Sequence, residues 1–288
     1  MKGVKRVHMS TINILFGGDK GIEAGMMMSL ISIADRVDAA LNVYVLTMDL
    51  NIHGDRYEPV GADCIDKTEK YLKSRNPESR VQLIDVSGHF REYLPESNYS
   101  TRFTPGCMLR LFADLEDVPD KLLYLDSDVI CLDGKALEEM YETDLSGHEY
   151  AAVPDYYGSH VFRRPFYRQR YINSGVMLLN MDVIRWTGMF EECRYLCMNK
   201  RMFFPDQTAL NRTATSKLLL PRRFNEQRRL RDDTVLMHFT TSFRLLPVFH
   251  YVTVKPWEID RVHRILKYTV VDDIYEKYTR LMKEKKDK

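Results

Sequence analysis

Between Ile12 and Asn180, six short apolar runs alternate with longer stretches of helical period, and few folds accommodate that order. Ile12–Phe16, Leu41–Leu46, Val81–Val86, Leu122–Leu125, Tyr150–Val153 and Val176–Asn180 have the length and apolar content of strands, several of them buried on both faces. Ala24–Ala40 carries Met27, Leu30, Ile31 and Ala34 on one helical stripe. A polar helix fills Asp63–Arg75 and stops at Asn76-Pro77. Thr104-Pro105 opens another, bearing Met108, Leu109, Leu111, Phe112 and Leu115. This order predicts an α/β domain whose mostly parallel sheet is covered by helices on both faces and joined by right-handed crossovers. Such sheets bind ligands outside the carboxyl ends of their strands. Residues just after each apolar run are therefore the first candidates for chemistry.

At 288 residues the chain suits one large domain with a C-terminal extension. We expect the domain over 1–258 and a helical, basic extension over 259–288, where Ile259–Lys283 reads as one or two amphipathic helices before Lys285, Lys286 and Lys288. That tail reads as a solvated helix end or as a peripheral contact with an anionic membrane surface. A net charge of +1 gives no electrostatic footprint for nucleic acid. The uncharged stretches Ala24–Ala34 and Tyr171–Met181 fall short of the about 20 apolar residues a membrane span needs. Lys2, Lys5 and Arg6 before Ile12–Phe16 mimic a signal peptide, but the apolar part is short and Asp19-Lys20 follow at once, so a first strand is expected. Five scattered cysteines without a C-x-x-C spacing suit reduced thiols in a cytoplasmic protein.

One carboxylate pair stands out: Asp126-Ser127-Asp128 follows the apolar Leu122–Leu125. An apolar strand ending in two carboxylates needs a partner for them. Residues i and i+2 of a strand share a side, so both oxygens can converge on one hard cation, and such a cation can neutralise a diphosphate. The plainer alternative is a pair of solvated turn aspartates. At the end of the first strand, Gly17 and Gly18 allow a ligand close to the backbone, and Asp19 can accept a hydrogen bond from a base or ribose. Neither G-x-G-x-x-G nor a P-loop is present, so a nucleotide held by metal fits better than one cradled by glycines.

These residues resemble glycosyltransferase family 8, the group of bacterial lipopolysaccharide galactosyl- and glucosyltransferases and glycogenin. Phe16-Gly17-Gly18-Asp19 looks like the family's uridine-binding start, and Arg110 resembles its helix arginine that reaches the donor. Leu125-Asp126-Ser127-Asp128 looks like its D-x-D. Tyr171–Asn180, with Asn173-Ser174-Gly175-Val176, is similar to its N-[AS]-G-V strand, whose asparagine contacts the sugar. Asp206-Gln207-Thr208-Ala209-Leu210-Asn211 resembles its D-Q-x-x-[LF]-N segment. His238 and Lys255-Pro256-Trp257 look like the element supplying a metal ligand and a diphosphate lysine. The resemblance implies a single GT-A-type nucleotide-diphospho-sugar transferase fold with a mixed sheet. It further implies a UDP-glucose or UDP-galactose donor, Mn(II) or Mg(II), and retention at the anomeric carbon. Two departures stand out. Lys20-Gly21-Ile22 follow Asp19 where the family often has an aromatic for uracil. Phe239–Val254 also stretches the family's compact H-x-x-G-x-x-K-P-W, which leaves His250 a rival to His238 as ligand.

On this reading Asp126, Asp128 and His238 hold the metal. Gly17, Gly18, Asp19, Arg110, Ser127, Asn173, Ser174 and Lys255 bind the donor with Asp126. Asp155, Asp206 and Gln207 surround the reacting sugar. Asp155 follows the run Ala151–Pro154 and reads equally as an ordinary turn residue, while Asp206 and Gln207 read equally as a capped, solvated helix start. The acceptor is a saccharide or lipid-linked saccharide. Two arginine clusters, Arg163, Arg164, Arg168 and Arg170, and Arg222, Arg223, Arg228, Arg229 and Arg231, lie near aromatics suited to a phosphorylated acceptor or are solvated loops. Two rivals remain. One is a non-catalytic binding protein of the same fold. The other is a haloacid-dehalogenase-type phosphatase, which Asp126-Ser127-Asp128-Val129 superficially resembles, although Asp126 is mid-chain and no G-D-x-x-x-D stretch follows.

Overall fold

The computed structural model describes residues 11–98, 105–158, 171–244 and 250–283, with the side chains of 242–250 excepted. Its centre is a seven-stranded sheet of order β10-β8-β9-β6-β1-β2-β5. The strands are β1 (Thr11–Gly17), β2 (Ala40–Thr47), β5 (Arg80–Asp85), β6 (Lys121–Leu125), β8 (Tyr150–Pro154), β9 (Ile172–Asn180) and β10 (Lys217–Leu219). Leu50–Ile52 (β3) and Asp55–Tyr57 (β4) form a hairpin. Strands β1, β2, β5 and β6 pair in parallel, as do β8 and β10, whereas β9 runs antiparallel to both β6 and β8. The expected mixed, mostly parallel sheet is present. Its reversal at β9 brings the start of that strand, Asn173 and Ser174, to the edge where β1, β6 and β8 end.

Two apolar layers cover the sheet. One joins Ile12, Ile14 and Phe16 to Met27 and Leu30 of helix Glu23–Ala34 and to Leu137 of helix Gly134–Tyr141. The other joins Leu15, Tyr124 and Met177 to Leu111, Phe112, Ile184 and Phe190. Two boundaries and one helix type differ from expectation. The first helix stops at Ala34, and Ala40 already belongs to β2. Pro105–Leu115 is a 3₁₀ helix throughout rather than an α-helix. The predicted strand Val176–Asn180 begins earlier, at Ile172, because buried Ile172, Asn173 and Ser174 continue it inward.

The C-terminal segment comprises a short α/π stretch, Ile259–Leu266, and helix Asp272–Lys283. Val262, Val271 and Ile274 pack on Met28 and Ile31, so the first helix is buried all round instead of along one stripe. Lys277 ties the last helix to Asp35 at 2.5 Å. Among the described residues, no helix is long and apolar enough to cross a membrane. All five cysteines are free thiols. The arginines Arg163, Arg164, Arg168 and Arg170 and the lysines Lys285, Lys286 and Lys288 lie outside the described residues, as do Lys2, Lys5 and Arg6.

Candidate active site at the carboxyl edge of the sheet

Strand β6 ends at Leu125, and Asp126-Ser127-Asp128 form a turn into the short strand β7 (Val129–Cys131). The two carboxylates therefore converge through a turn, closed by Val129 N–H donating to Asp126 O at 3.2 Å, and not through the strand alternation expected from sequence. Strand β11 (Leu236–His238) pairs antiparallel with β7 and sets His238 opposite Val129. His238 Nε2 then lies 3.2 Å from Asp128 Oδ1 and 3.6 Å from Asp126 Oδ2. One ligand atom from each of the three residues lies within 4.8 Å of the others. His250 starts strand β13 (His250–Val252), the antiparallel partner of β12 (Ser242–Arg244), and its side chain is outside the described set.

The surroundings fix each ligand. Asp126 Oδ1 accepts from Tyr124 OH at 2.8 Å and from Arg110 Nη2 at 2.9 Å, which leaves Oδ2 toward His238. His238 Nδ1 is 3.1 Å from Asn225 Oδ1. That amide can accept only from a protonated Nδ1, so Nε2 faces the carboxylates. Two carboxylate oxygens and an imidazole nitrogen are a donor set that fits a divalent cation. Lys255 Nζ bonds the second oxygen of Asp128. Burial works against ionising Asp128, but His238 and Lys255 outweigh it and hold the carboxyl far below the usual range. The same burial opposes the His238 cation, and Asp128 and Asp126 overcome it to raise its pKa.

A hydrogen-bonded chain of amides leads from this cluster to the other candidates. Asn225 Nδ2 donates to Asn173 Oδ1 at 2.9 Å, and Asn173 Nδ2 donates to Asp155 Oδ2 at 3.0 Å and Gln207 Oε1 at 3.3 Å. Gln207 Nε2 donates to the same Asp155 oxygen at 3.2 Å. Helix Pro205–Thr213 begins after Phe204, so Asp206 and Gln207 are neither cap nor solvated. Each is 6% exposed and faces Ser174. Burial raises the pKa of Asp206 despite Arg110 at 3.4 Å.

Arg110 is 3% exposed, and each of its nitrogens has a protein acceptor: Nε the carbonyl of Cys107, Nη1 that of Ser174, Nη2 the carboxylates of Asp126 and Asp206. Its guanidinium lies 3.9 Å from the centre of the Tyr124 ring. Removing that charge strands two carboxylates, so Arg110→Met is expected to lower stability by about 3 kcal/mol. The urea midpoint reads this. Arg110→Lys should recover only part of the loss, since an ammonium lacks the planar fork. A shift under about 1 kcal/mol for Arg110→Met would show that the arginine is no strut.

The first-strand end stands beside this cluster. Gly17 packs on the backbone of Arg110, where a Cβ would come 3.2 Å from its nitrogen. Asp19 Oδ1 accepts from Gly21 N–H at 2.9 Å, and Lys20 pairs with Glu58 at 2.7 Å, lacing the β3–β4 hairpin to this loop. The half-buried Tyr57 of that hairpin has its phenol pKa raised by burial, then by Asp55 and Asp19. It places an aromatic near Asp19, where the adjacent sequence has none. Ser127 turns its carbonyl against Gly25, whose missing Cβ leaves room for that atom and for Trp257. Sequence reading missed Asn225, Tyr124, Tyr57 and Gly25, since none lies in a motif. Asn225 alone had a usable signal, an asparagine within a run of charged residues.

A nucleotide-sugar-transferase type of α/β sheet with an acidic, histidine-bearing turn at its carboxyl edge defines a class of glycosyltransferases. Residues 13–260 match the sequence profile of Glycosyl transferase family 8, and the chain belongs to that family. It is 26% identical over 274 residues to the lipopolysaccharide 1,2-glucosyltransferase of Escherichia coli K12, covering 89% of this chain and 76% of that protein. Over 96 residues, 30% of this chain and 21% of the relative, it is 41% identical to glucoside xylosyltransferase 2 of Mus musculus. The fold is similar to that of an active-site glutamine-to-glutamate mutant of LgtC, with TM-score 0.64, 19% identity, and coverage of 94% and 95% of the two chains. The galactosyltransferase LgtC with donor and acceptor sugar analogues aligns at TM-score 0.61 with 18% identity, over 96% and 98%.

Proposed function

We propose that this glycosyltransferase is a metal-dependent retaining hexosyltransferase, moving glucose or galactose from a UDP-sugar to a glycan or glycolipid acceptor. The carrying observation is the convergence of Asp126, Asp128 and His238 within 4.8 Å beside Lys255 at the carboxyl edge. The names of the relatives, a lipopolysaccharide glucosyltransferase and a galactosyltransferase with donor and acceptor analogues, support the donor class. Residues 1–258 would carry catalysis, with 259–288 an extension whose Val262, Val271 and Ile274 brace the first helix.

A divalent cation on Asp126, Asp128 and His238 would supply charge neutralisation for the departing diphosphate. Lys255 turns from Asp128 to the diphosphate and adds a second positive charge there. Gly17, Gly18 and Asp19 admit and hold the uridine, and Ser127, Asn173 and Ser174 hold the donor from the other side. Arg110 acts by keeping Asp126 and Ser174 in place. The anomeric carbon gains oxocarbenium character, and the carboxylates of Asp155 and Asp206 stabilise it or orient the sugar hydroxyls. Gln207 is an amide bonded at both ends and a poor nucleophile, so a double displacement lacks its first partner. The acceptor oxygen instead attacks from the face the diphosphate leaves. The bond from the anomeric carbon to the phosphate oxygen breaks, the acceptor–carbon bond forms, and the acceptor proton passes to the leaving oxygen. The active-site glutamine mutant of LgtC makes Gln207 the residue to watch.

UDP release from a panel of UDP-sugars, with Mn(II), Mg(II) or chelator, tests the reading. Release from one UDP-hexose that stops with chelator is expected. UDP binding without turnover across donors and candidate acceptors would make this a binding protein. Absence of UDP binding with Mn(II) would remove the donor assignment. A covalent glycosyl-enzyme on Asp155 or Asp206 would overturn the front-face route.

A further inference from the structure

The second arginine cluster divides sharply once its partners are known. Arg222 pairs with Glu226 and with Asp233 at 2.6 Å, and Arg231 approaches Glu226 at 3.5 Å. Arg223 lies over its neighbour Phe224 at 4.7 Å. These three brace the loop. Arg228 and Arg229 are different: both are exposed, and among the described residues neither has a carboxylate within ion-pair distance. The loop nonetheless holds them in place. The buried carboxylate of Glu226, neutralised by Arg222 and Arg231, accepts from the backbone N–H of Arg228 at 3.1 Å and of Arg229 at 3.5 Å.

Their position is at the rim of the site. Arg228 stacks over the ring of Tyr156 at 4.8 Å, and Tyr156 meets Tyr157 edge-on at 5.0 Å. Tyr156 directly follows Asp155. Gln227, buried next to Arg228, accepts from Tyr156 N–H at 2.9 Å and donates to Pro154 O at 3.1 Å, pinning the two segments together. Asn225, two residues earlier, is the amide that joins His238 to Asn173. A guanidinium stacked on an aromatic ring, with no carboxylate beside it among the described residues, suits an anion carried by the acceptor.

Resting on the hexosyltransferase reading, we infer that Tyr156, Arg228 and Arg229 form an acceptor subsite for a phosphorylated saccharide. The Tyr156 ring backs the Arg228 guanidinium, and the two arginines meet the phosphate group of the acceptor with charge-assisted hydrogen bonds. Sequence alone left these arginines as solvated loop or acceptor contact. The stacking of Arg228 on Tyr156, next to Asp155, favours the acceptor contact.

The test uses the full chain saturated with UDP and Mn(II), which occupies the donor side, and measures binding of glucose 6-phosphate and glucose by ligand-observed NMR. Glucose 6-phosphate is expected to bind about tenfold more tightly than glucose, and Arg228→Gln with Arg229→Gln should erase the difference while leaving UDP affinity unchanged. Tyr156→Ala, which removes the backing of Arg228, should weaken glucose 6-phosphate and leave glucose unchanged. Equal binding of the two sugars to the wild type, or a preference that survives in the double variant, overturns the subsite. Inorganic phosphate that competes as well as glucose 6-phosphate reduces it to a bare anion contact and overturns the saccharide assignment. Capture of phosphatidylglycerol vesicles through the same two arginines, without sugar-phosphate binding, reassigns it to a lipid surface. Failure of UDP itself to bind strikes the donor reading instead, and is seen before any sugar is added.

Discussion

Asp128→Asn should cut metal-dependent UDP release by about 10³-fold, the cost of removing one group that meets the leaving charge. Asparagine keeps the shape and one oxygen but not the charge, so the turn from Asp126 to Val129 should survive. The partners lose more than a ligand. Asp128 is what raises the pKa of both His238 and Lys255 against their burial, so in the variant both cations are less favoured. Lys255 is half-buried and free to swing outward. His238, at 5% exposure, is not, and reverts toward a neutral ring held by Asn225. The expected split is a large loss of turnover with a small change in melting temperature. Titrating Mn(II) separates the causes: a loss that high metal restores is one of affinity, and a loss that persists is one of chemistry. A variant that keeps chelator-sensitive turnover near the wild-type rate would remove Asp128 from the metal site.

The sheet was largely legible because its strands are short apolar runs with turn residues between them. Five of the six expected strands lie within two residues of their observed limits at both ends, and β9 alone starts four residues earlier. Period-based reading ran out where burial was completed by distant chain. Met28 lies off the apolar stripe read for the first helix, and only the packing of Val262, Val271 and Ile274 explains why it is apolar. The 3₁₀ geometry of Pro105–Leu115 had no local signal either, since its apolar spacing suits an α-helix equally. In the site, charged residues at strand ends announced themselves because apolar strands do not end in carboxylates without cause. The amides that connect them did not. Asn225 reaches His238 and Asn173 across 13 and 52 residues of sequence, and no spacing rule predicts such a bridge. The arginine cluster shows the same limit, because five like residues in one stretch divide into loop braces and exposed cations, unpaired among the described residues, according to what the fold brings near.

Gly175→Ala is expected to be nearly as damaging as loss of a ligand, although it adds a single methyl group. Gly175 follows Asn173 and Ser174 on β9, and its carbonyl accepts from Asp126 N–H at 2.8 Å, which fixes the start of the acidic turn. A Cβ at this position would overlap the His238 ring at Cε1, lie 2.7 Å from its Nδ1 and come within 2.8 Å of Asp126 Oδ2. None of these atoms sits at the end of a flexible chain. The imidazole is held by Asn225, and Asp126 is held by Tyr124 and Arg110. The cheapest relief is to push His238 away from the carboxylates, which breaks its bond to Asn225 and with it the link to Asn173. Backbone strain contributes nothing, because Gly175 is not among the positive-φ residues. We expect Mn(II) affinity to fall at least about tenfold, as when a ligand loses its supporting bond, and turnover to fall about 10²-fold or more. Overpacking should also cost about 1–3 kcal/mol of stability, read from the urea midpoint. The pairing of Gly175→Ala with His238→Ala discriminates the cause. If the methyl acts by displacing the histidine, the double variant regains most of the lost stability without regaining activity, since truncating the ring empties the space the methyl needs. Additive stability losses in the double variant would mean that the methyl disturbs Asp126 or the strand instead, and that the close approach of β9 to His238 is not what the glycine is there to permit.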